Sequence, residues 1–471
     1  MKIELVSPPY EESYGKVKTA IATDPPLGLA YIAAYLEEHG FDAGITDSEA
    51  ECLSTNETVK KLKKSGADLI GIHTSTATIT GIYSLVRLLK EQDNDIKIIA
   101  GGPHATAEPE ITLKESEIDF VIRGEGEIPT LALAKYMQGK IGIEEIGSLS
   151  YKKGKRIIHN ERGPQIKVLD TLPFPARHLL PMEKYRPAAY FASKNCTYTS
   201  MIATRGCPYN CTFCGVQNMF SGVRFRSVKN IIEELEEVIE KYKVDTVEFQ
   251  DSTFVTRNDI VENICDEITR RNIKLNWAST GRVNLVNAGL LEKMKKAGCK
   301  RLFYGIESGS QKILDSMEKH TNLTQIEKAV TMTKKSGIDA ICSFIIGMPG
   351  ETTETINKTI EFAIKLNPPY ATFSLATPFP GTPFYETALK EGFELKKWEK
   401  YKSARYNKPI YHPRDISFEE LEEIYSTIYK KFYLRPSYIA RKALSIRSFS
   451  ELKHNANIMF DLIKQTLIHK A

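Results

Sequence analysis

The sequence predicts an α/β protein built from a doubly wound parallel sheet, a partial (β/α)6 barrel and a helical C-terminal element. Three observations predict it. Residues 1–140 alternate short β-branched runs with stretches of helical periodicity; residues 196–392 do so again; the last ~70 residues keep the helical period alone. The expected division is 1–140 for the sheet domain, 141–195 for a hairpin and linker, 196–392 for the barrel and 393–471 for the helical element.

In the first part the strands are predicted at 3–7, 43–47, 69–73, 97–100 and 120–122, with helices at 28–38, 57–64, 79–92 and 128–137. Ligands of doubly wound sheets bind beyond the C-terminal strand ends. Small polar residues and glycine stand at those ends: Thr74-Ser75-Thr76, Gly101-Gly102-Pro103-His104 and Gly124-Glu125-Gly126. A hairpin follows, with strands at 148–151 and 156–159 around a Lys-Lys-Gly-Lys turn. Pro164, Pro173, Pro175, Pro181 and Pro187 then mark a connector. Barrel strands are predicted at 200–204, 246–250, 275–279, 301–306, 341–346 and 372–376, each followed by a helical segment such as 231–242 or 355–366. Sites in such barrels lie at the C-terminal strand ends.

A chain of 471 residues, 42% apolar and 26% charged, can bury a real core, and its net charge of +5 is too small to imply nucleic acid by itself. No apolar run approaches the ~18 residues of a membrane span. Residues 1–9, with an acidic residue and two prolines, read as a first strand and not as a signal peptide. Eight cysteines in this length do not make a disulfide scaffold. Between 430 and 471 nine basic residues face only Glu451 and Asp461, with apolar residues interleaved. Such a segment is either a basic amphipathic helix at an anionic membrane surface or the solvated face of a helix packed on the barrel.

Cys207, Cys211 and Cys214 fall in Thr-Arg-Gly-Cys-Pro-Tyr-Asn-Cys-Thr-Phe-Cys, just after the first predicted barrel strand. Thiolates are soft ligands suited to iron–sulfur clusters and zinc. No fourth cysteine lies in this loop, and a cluster held by three leaves one iron open. A zinc site completed from elsewhere, or thiols of no special role, are the other readings of these residues alone.

The C-x3-C-x2-C spacing resembles the radical S-adenosylmethionine superfamily, in which the open iron of a [4Fe–4S] cluster binds the amino and carboxylate groups of S-adenosylmethionine. The resemblance implies Phe213 against adenine and Asp251, in Glu-Phe-Gln-Asp-Ser, on the methionine amine. It places Ser279, Arg282, Glu307 and Ser308 at the ends of strands three and four, with ribose or carboxylate as partners. Gly347, in Gly-Met-Pro-Gly-Glu, would bring backbone against adenine. Residues 377–383 also look like a familiar segment of this family.

The first part resembles the cobalamin-binding half of cobalamin-dependent radical enzymes, on the segments 25–31, 71–75, 101–106 and 121–127. Ser75 and Thr76 would bond the benzimidazole tail, Gly101 and Gly102 would admit the nucleotide loop, and Gly124 and Glu125 complete the expected contacts. Residues 7–30 contain no histidine, so the D-x-H-x-x-G cobalt ligand of many cobalamin proteins is missing; His73 and His104 are candidates on paper. The implied activity is methylation of an unactivated carbon of a hydrophobic substrate, a lipid or tetrapyrrole, through a 5′-deoxyadenosyl radical. Ring formation or oxidation of the magnesium-protoporphyrin ester cyclase type, and a non-catalytic cobalamin or redox sensor, are the alternatives. An electron donor such as flavodoxin or ferredoxin is an implied partner, and nucleic acid is not. The cluster loop argues for a reducing cytoplasm, with membrane-peripheral contact through the basic segment as a further expectation.

Overall fold

In the computed structural model, which describes residues 1–9, 22–188, 196–405 and 408–445, the strands form two parallel systems and a small ribbon. The N-terminal sheet contains β1 (Lys2–Ser7), β2 (Asp42–Asp47), β3 (Leu69–His73), β4 (Lys97–Gly101), β5 (Phe120–Ile122), β6 (Leu149–Lys153) and β7 (Arg156–His159). Its order is β2-β1-β3-β4-β5-β6-β7, with β1 to β5 parallel and β6 and β7 antiparallel. The predicted hairpin therefore extends this sheet. Ile3, Leu5 and Val6 are all 2% exposed or less, as a strand covered on both faces by helices requires. Helix boundaries follow local chemistry. Thr55–Ser65 starts at a Ser54–Glu57 capping box and stops at Gly66, whose φ is 64°.

The partial barrel contains β8 (Tyr198–Met201), β11 (Thr246–Phe249), β12 (Asn276–Gly281), β13 (Cys299–Glu307), β14 (Asp339–Ile346) and β15 (Tyr370–Leu375), all parallel, in the order β15-β14-β13-β12-β11-β8. Val247, Phe249 and Trp277 point outward into one core with helices Val228–Tyr242 and Asn258–Arg270. The strand predicted at 200–204 is in fact broken. Asp251 accepts hydrogen bonds from the backbone N–H of Ala203 and Thr204, which draws the chain off the ladder. The backbone re-forms as β9 (Thr204–Gly206), paired antiparallel with β10 (Val223–Phe225). The cluster-loop cysteines sit on the loop between these two ribbon strands.

The helix Phe418–Tyr433 lies along β15, and a short helix, Pro436–Ser445, follows it. Of the described basic residues of this region, Arg435, Arg441 and Lys442 turn inward, whereas Lys430 and Lys431 are exposed. Arg435 donates to Ile364 O at 3.2 Å, Arg441 donates to Asn367 O at 2.7 Å and Pro368 O at 3.0 Å, and Lys442 sits 4.0 Å from the Tyr370 ring centroid. Their charge holds the base of the barrel. The remaining basic residues, Arg447, Lys453, Lys464 and Lys470, lie outside the described residues.

Candidate functional site

Ribbon and barrel together fix the cysteine loop. Gly206 has φ +89°, and a Cβ there would strike the Gly222 carbonyl, so only glycine admits this crossing. Gln217 donates to Cys207 O at 2.7 Å and Tyr209 O at 2.9 Å, which closes the loop on itself. Thr212 N donates to Met317 O and Phe384 N to Thr212 O, which ties the loop to the barrel. Cys207 and Cys211 are buried and Cys214 is half-buried. Burial pushes the Cys214 thiol up, with a further contribution from the neighbouring Cys211 and Cys207. Among the described residues, no three His, Cys, Asp or Glu side chains already stand in metal-holding geometry. The donor chemistry nonetheless fits a cluster: three thiols on one short loop, close enough to act on one another's charge.

Arg282 packs on this loop. Its guanidinium lies 3.5 Å from the Tyr209 ring centroid, Nη1 is 3.8 Å from Cys211 Sγ, and Nη2 donates to Lys319 O. It steadies the cysteine loop, where pairing with a ligand carboxylate was expected. Glu307, at the end of β13, is ion-paired with Lys319 at 2.7 Å, and the same ammonium sits 5.9 Å from the Phe213 ring centroid. Phe213 and Glu307 face a cavity of about 1120 Å³ at the barrel mouth. Ser75 and Thr76 of the N-terminal sheet line its opposite side.

The structure gives four of the expected contact residues partners within the protein. Asp251 is 2% exposed and accepts from Ala203 N, Thr204 N and the Thr204 hydroxyl, so it braces the broken strand. Burial raises its carboxyl to about 6. Strand alternation accounts for this placement: Val247 and Phe249 face the helices, so Glu248 and Gln250 face the other side and Asp251 turns back outward. Ser279 is fully buried beside Phe249 and Leu302, its cross-strand neighbours, on the helix-facing side. Ser308 is fully buried, pairs with the Thr359 hydroxyl at 3.1 Å and accepts from Ser310 N. Glu125 is held by two arginines, as described below. Gly347, with φ +91°, makes the turn after β14, and its N–H donates to Glu351 Oε2 at 2.6 Å. Burial raises Glu351 to about 7.

A second cavity, of about 240 Å³, opens at the C-terminal ends of β3, β4 and β5. Gly101, Gly102, Gly124, Glu125 and His73 line it from the sheet, and Thr204, Arg205 and Gly206 from the ribbon. Gly102 has φ +103°, and a Cβ there would lie 2.7 Å from Thr74 O, so backbone alone forms this wall. Pro103, Met219 and Phe220 line both cavities, which therefore adjoin. His104 is fully buried, with Nδ1 3.1 Å from the Thr76 hydroxyl and its ring edge-on to Trp398; burial lowers it to about 4. Burial also lowers His73.

Sequence reading missed Lys319, Gln217, Gln250 and Arg205. Strand alternation could have found Gln250. The other three act through partners that no local pattern announces.

The family model described as the radical SAM superfamily matches residues 201–363, and the B12 binding domain model matches residues 18–134. An uncharacterized methyltransferase of Pyrococcus horikoshii is 35% identical over 95% of this chain and 96% of its own length. The anaerobic magnesium-protoporphyrin IX monomethyl ester cyclase of Rubrivivax gelatinosus is 27% identical over 93% of this chain and 78% of its own. Among solved structures, the radical S-adenosylmethionine methyltransferase TsrM of Kitasatospora setae, with cobalamin and a [4Fe-4S] cluster bound, shares the fold. Its TM-score is 0.70 at 17% identity, over 83% of this chain and 78% of that one.

Proposed function

We propose that this chain, which belongs to the cobalamin-binding radical S-adenosylmethionine enzymes, transfers a methyl group to an unactivated carbon of a hydrophobic small molecule. The observation that carries the reading is the pair of adjoining cavities, one at the barrel mouth beside the cysteine loop and one at the strand ends of the N-terminal sheet. When bound, a [4Fe–4S] cluster, S-adenosylmethionine and cobalamin would supply radical generation and methyl donation between them.

The chain's own residues hold and shield. Cys207, Cys211 and Cys214 would carry the cluster on the loop steadied by Arg282 and Gln217. Phe213 and Glu307 would meet the nucleoside, with Lys319 holding the Glu307 carboxylate in place. Gln250 would face the smaller cavity. Gly101, Gly102 and Gly124 would admit the cobalamin nucleotide tail, and Ser75 and Thr76 would face the larger cavity.

The remaining wall of the larger cavity suits the apolar part of a substrate, such as the hydrocarbon of a lipid or the ring of a tetrapyrrole. Phe379, Tyr401, Tyr425 and Tyr429 line it. Among the described residues lining it there is no Lys, Arg or His, and its one acid, Glu307, is already paired. An anionic substrate would find no counter-charge there. Radical ring formation without methyl transfer is a second reading, favoured by the similarity to the cyclase. No helix among the described residues is long and apolar enough to cross a membrane.

Anaerobically reconstituted protein should hold about four irons per chain and, once reduced, release 5′-deoxyadenosine from S-adenosylmethionine. Changing Cys207, Cys211 and Cys214 together to Ala should abolish both, whereas Cys52→Ala should abolish neither. A triple variant that still cleaves S-adenosylmethionine would sink the assignment. Failure of the wild type to bind cobalamin would remove methyl transfer and leave the cyclase-like reading.

A further inference from the structure

The two strands that carry the cysteine loop are clamped to the N-terminal sheet by a buried ionic network. Arg205 of β9 pairs with Glu125 at 2.7 Å and Glu127 at 2.5 Å. Arg224 of β10, the register partner of Arg205, pairs with the other Glu125 oxygen at 2.8 Å and donates to Ile166 O at 2.7 Å. The Arg205 guanidinium also lies 5.1 Å from the Tyr31 ring centroid. All four side chains are 12% exposed or less. At such burial salt screens the pairs little, and removing one charge leaves the others unpaired inside the protein.

Position makes this clamp more than a brace. Glu125 belongs to the glycine loop that ends β5 and lines the smaller cavity, and Arg205 lines the same cavity from the other side. Two residues beyond Arg205 stands Cys207. Whatever fills the cavity touches both halves of the clamp, and whatever orders the cysteine loop acts on one of them.

We propose that the Arg205–Glu125–Arg224 clamp is a positioning device that couples occupancy of the cobalamin cavity to assembly of the cysteine loop, so that cluster and cobalamin each tighten the binding of the other. This rests on the reading of the two sites given above. The coupling is reciprocal by thermodynamic necessity. It gives the Glu125 carboxylate in the cavity wall a role: Glu125 faces the ribbon and transmits the state of the loop.

The test measures hydroxocobalamin affinity in cluster-loaded wild-type protein and in the cluster-free triple cysteine variant, with iron release to a chelator as the converse readout. Loaded protein should bind cobalamin about five-fold tighter or more, the lower end of common coupling factors. Cobalamin should slow iron loss. In Glu125→Gln, which keeps shape but drops the charge, cobalamin at a concentration that saturates the variant should no longer slow iron loss. Arg224→Lys, which keeps the charge, should retain part of the effect. Equal affinities in the two cluster states, or undiminished protection in Glu125→Gln, would overturn the coupling while leaving the functional reading intact. A wild-type chain that binds no cobalamin would overturn both. Should Glu125→Gln fail to fold, the wild-type comparison still decides, because equal affinities there end the proposal.

Discussion

The six-stranded sheet of the barrel has two open edges, and the chain closes them by opposite means. At the β8 edge the closure is ionic. Arg177, from the linker, donates to Ser200 O at 2.9 Å and pairs with Glu234 at 2.6 Å; Arg226 pairs with the other Glu234 oxygen and donates to Ile202 O at 2.8 Å. Burial alone would raise the Glu234 carboxyl, but the two guanidiniums hold it below its ordinary range. Nearby, Tyr198 donates to Asp24 and Glu248. Burial, and then the charge of Asp24, raises Glu248 to about 7. The β15 edge is closed by neutral groups. Tyr433 donates to Ala371 O at 2.7 Å and accepts from Ala371 N at 3.0 Å. Tyr429 does the same for Phe373 at 3.0 and 3.2 Å, and Tyr425 donates to Phe373 O at 2.8 Å. A phenol both donates and accepts, so a row of tyrosines four apart on a helix can pair the alternate N–H and C=O groups of a strand edge. The contrast teaches that an edge facing another domain can be made charged and pH-sensitive, while an edge facing only its own helix is closed without charge.

The largest effect should come from Glu234→Gln. It leaves two buried guanidiniums without a counter-charge and should lower stability by about 3–5 kcal/mol in denaturant titration. A loss under ~1 kcal/mol, the scale of an exposed pair, would mean that the β8 edge is not held by its charges. At the other edge, Tyr433→Phe unpairs a buried N–H and C=O and should cost about 1–3 kcal/mol, with the same loss at pH 6 and pH 8. If that loss varied with pH, the contrast between the edges would fail. The third effect is a pH dependence. Glu248 is raised in the folded protein, so its contribution is whole below the unfolded value and is lost as pH rises through about 7. Wild-type thermal stability should therefore fall relative to Glu248→Gln between pH 5 and pH 8, by roughly 1–2 kcal/mol. A constant difference across that range would show that Glu248 does not take up a proton there in the folded protein.

Much of the architecture was legible. The predicted strands at 69–73, 120–122 and 156–159 and the helix at 79–92 coincide with β3, β5, β7 and the helix Ile79–Gln92. Periods of two and of 3.6 residues are local properties, fixed by which face of each element must leave water. Cysteine spacing is local in the same sense, because three donors on one loop need no distant partner. The run 200–204 misled because its fate depends on a carboxylate 47 residues away in sequence from Thr204.

By itself, then, the sequence determined the alternation of elements, the order of the two sheets and the thiol loop after the first barrel strand. Tertiary structure alone decided where each polar side chain is used. Glu125, read as lining a ligand site, is claimed by Arg205 from 80 positions away. Asp251 is claimed by the backbone it bends. Tyr425, Tyr429 and Tyr433, legible only as one helix face, become the seal of β15. The physical reason is common to all three. A buried polar group must find a partner, and which partner it finds is set by what the fold brings within hydrogen-bond reach, not by its neighbours along the chain.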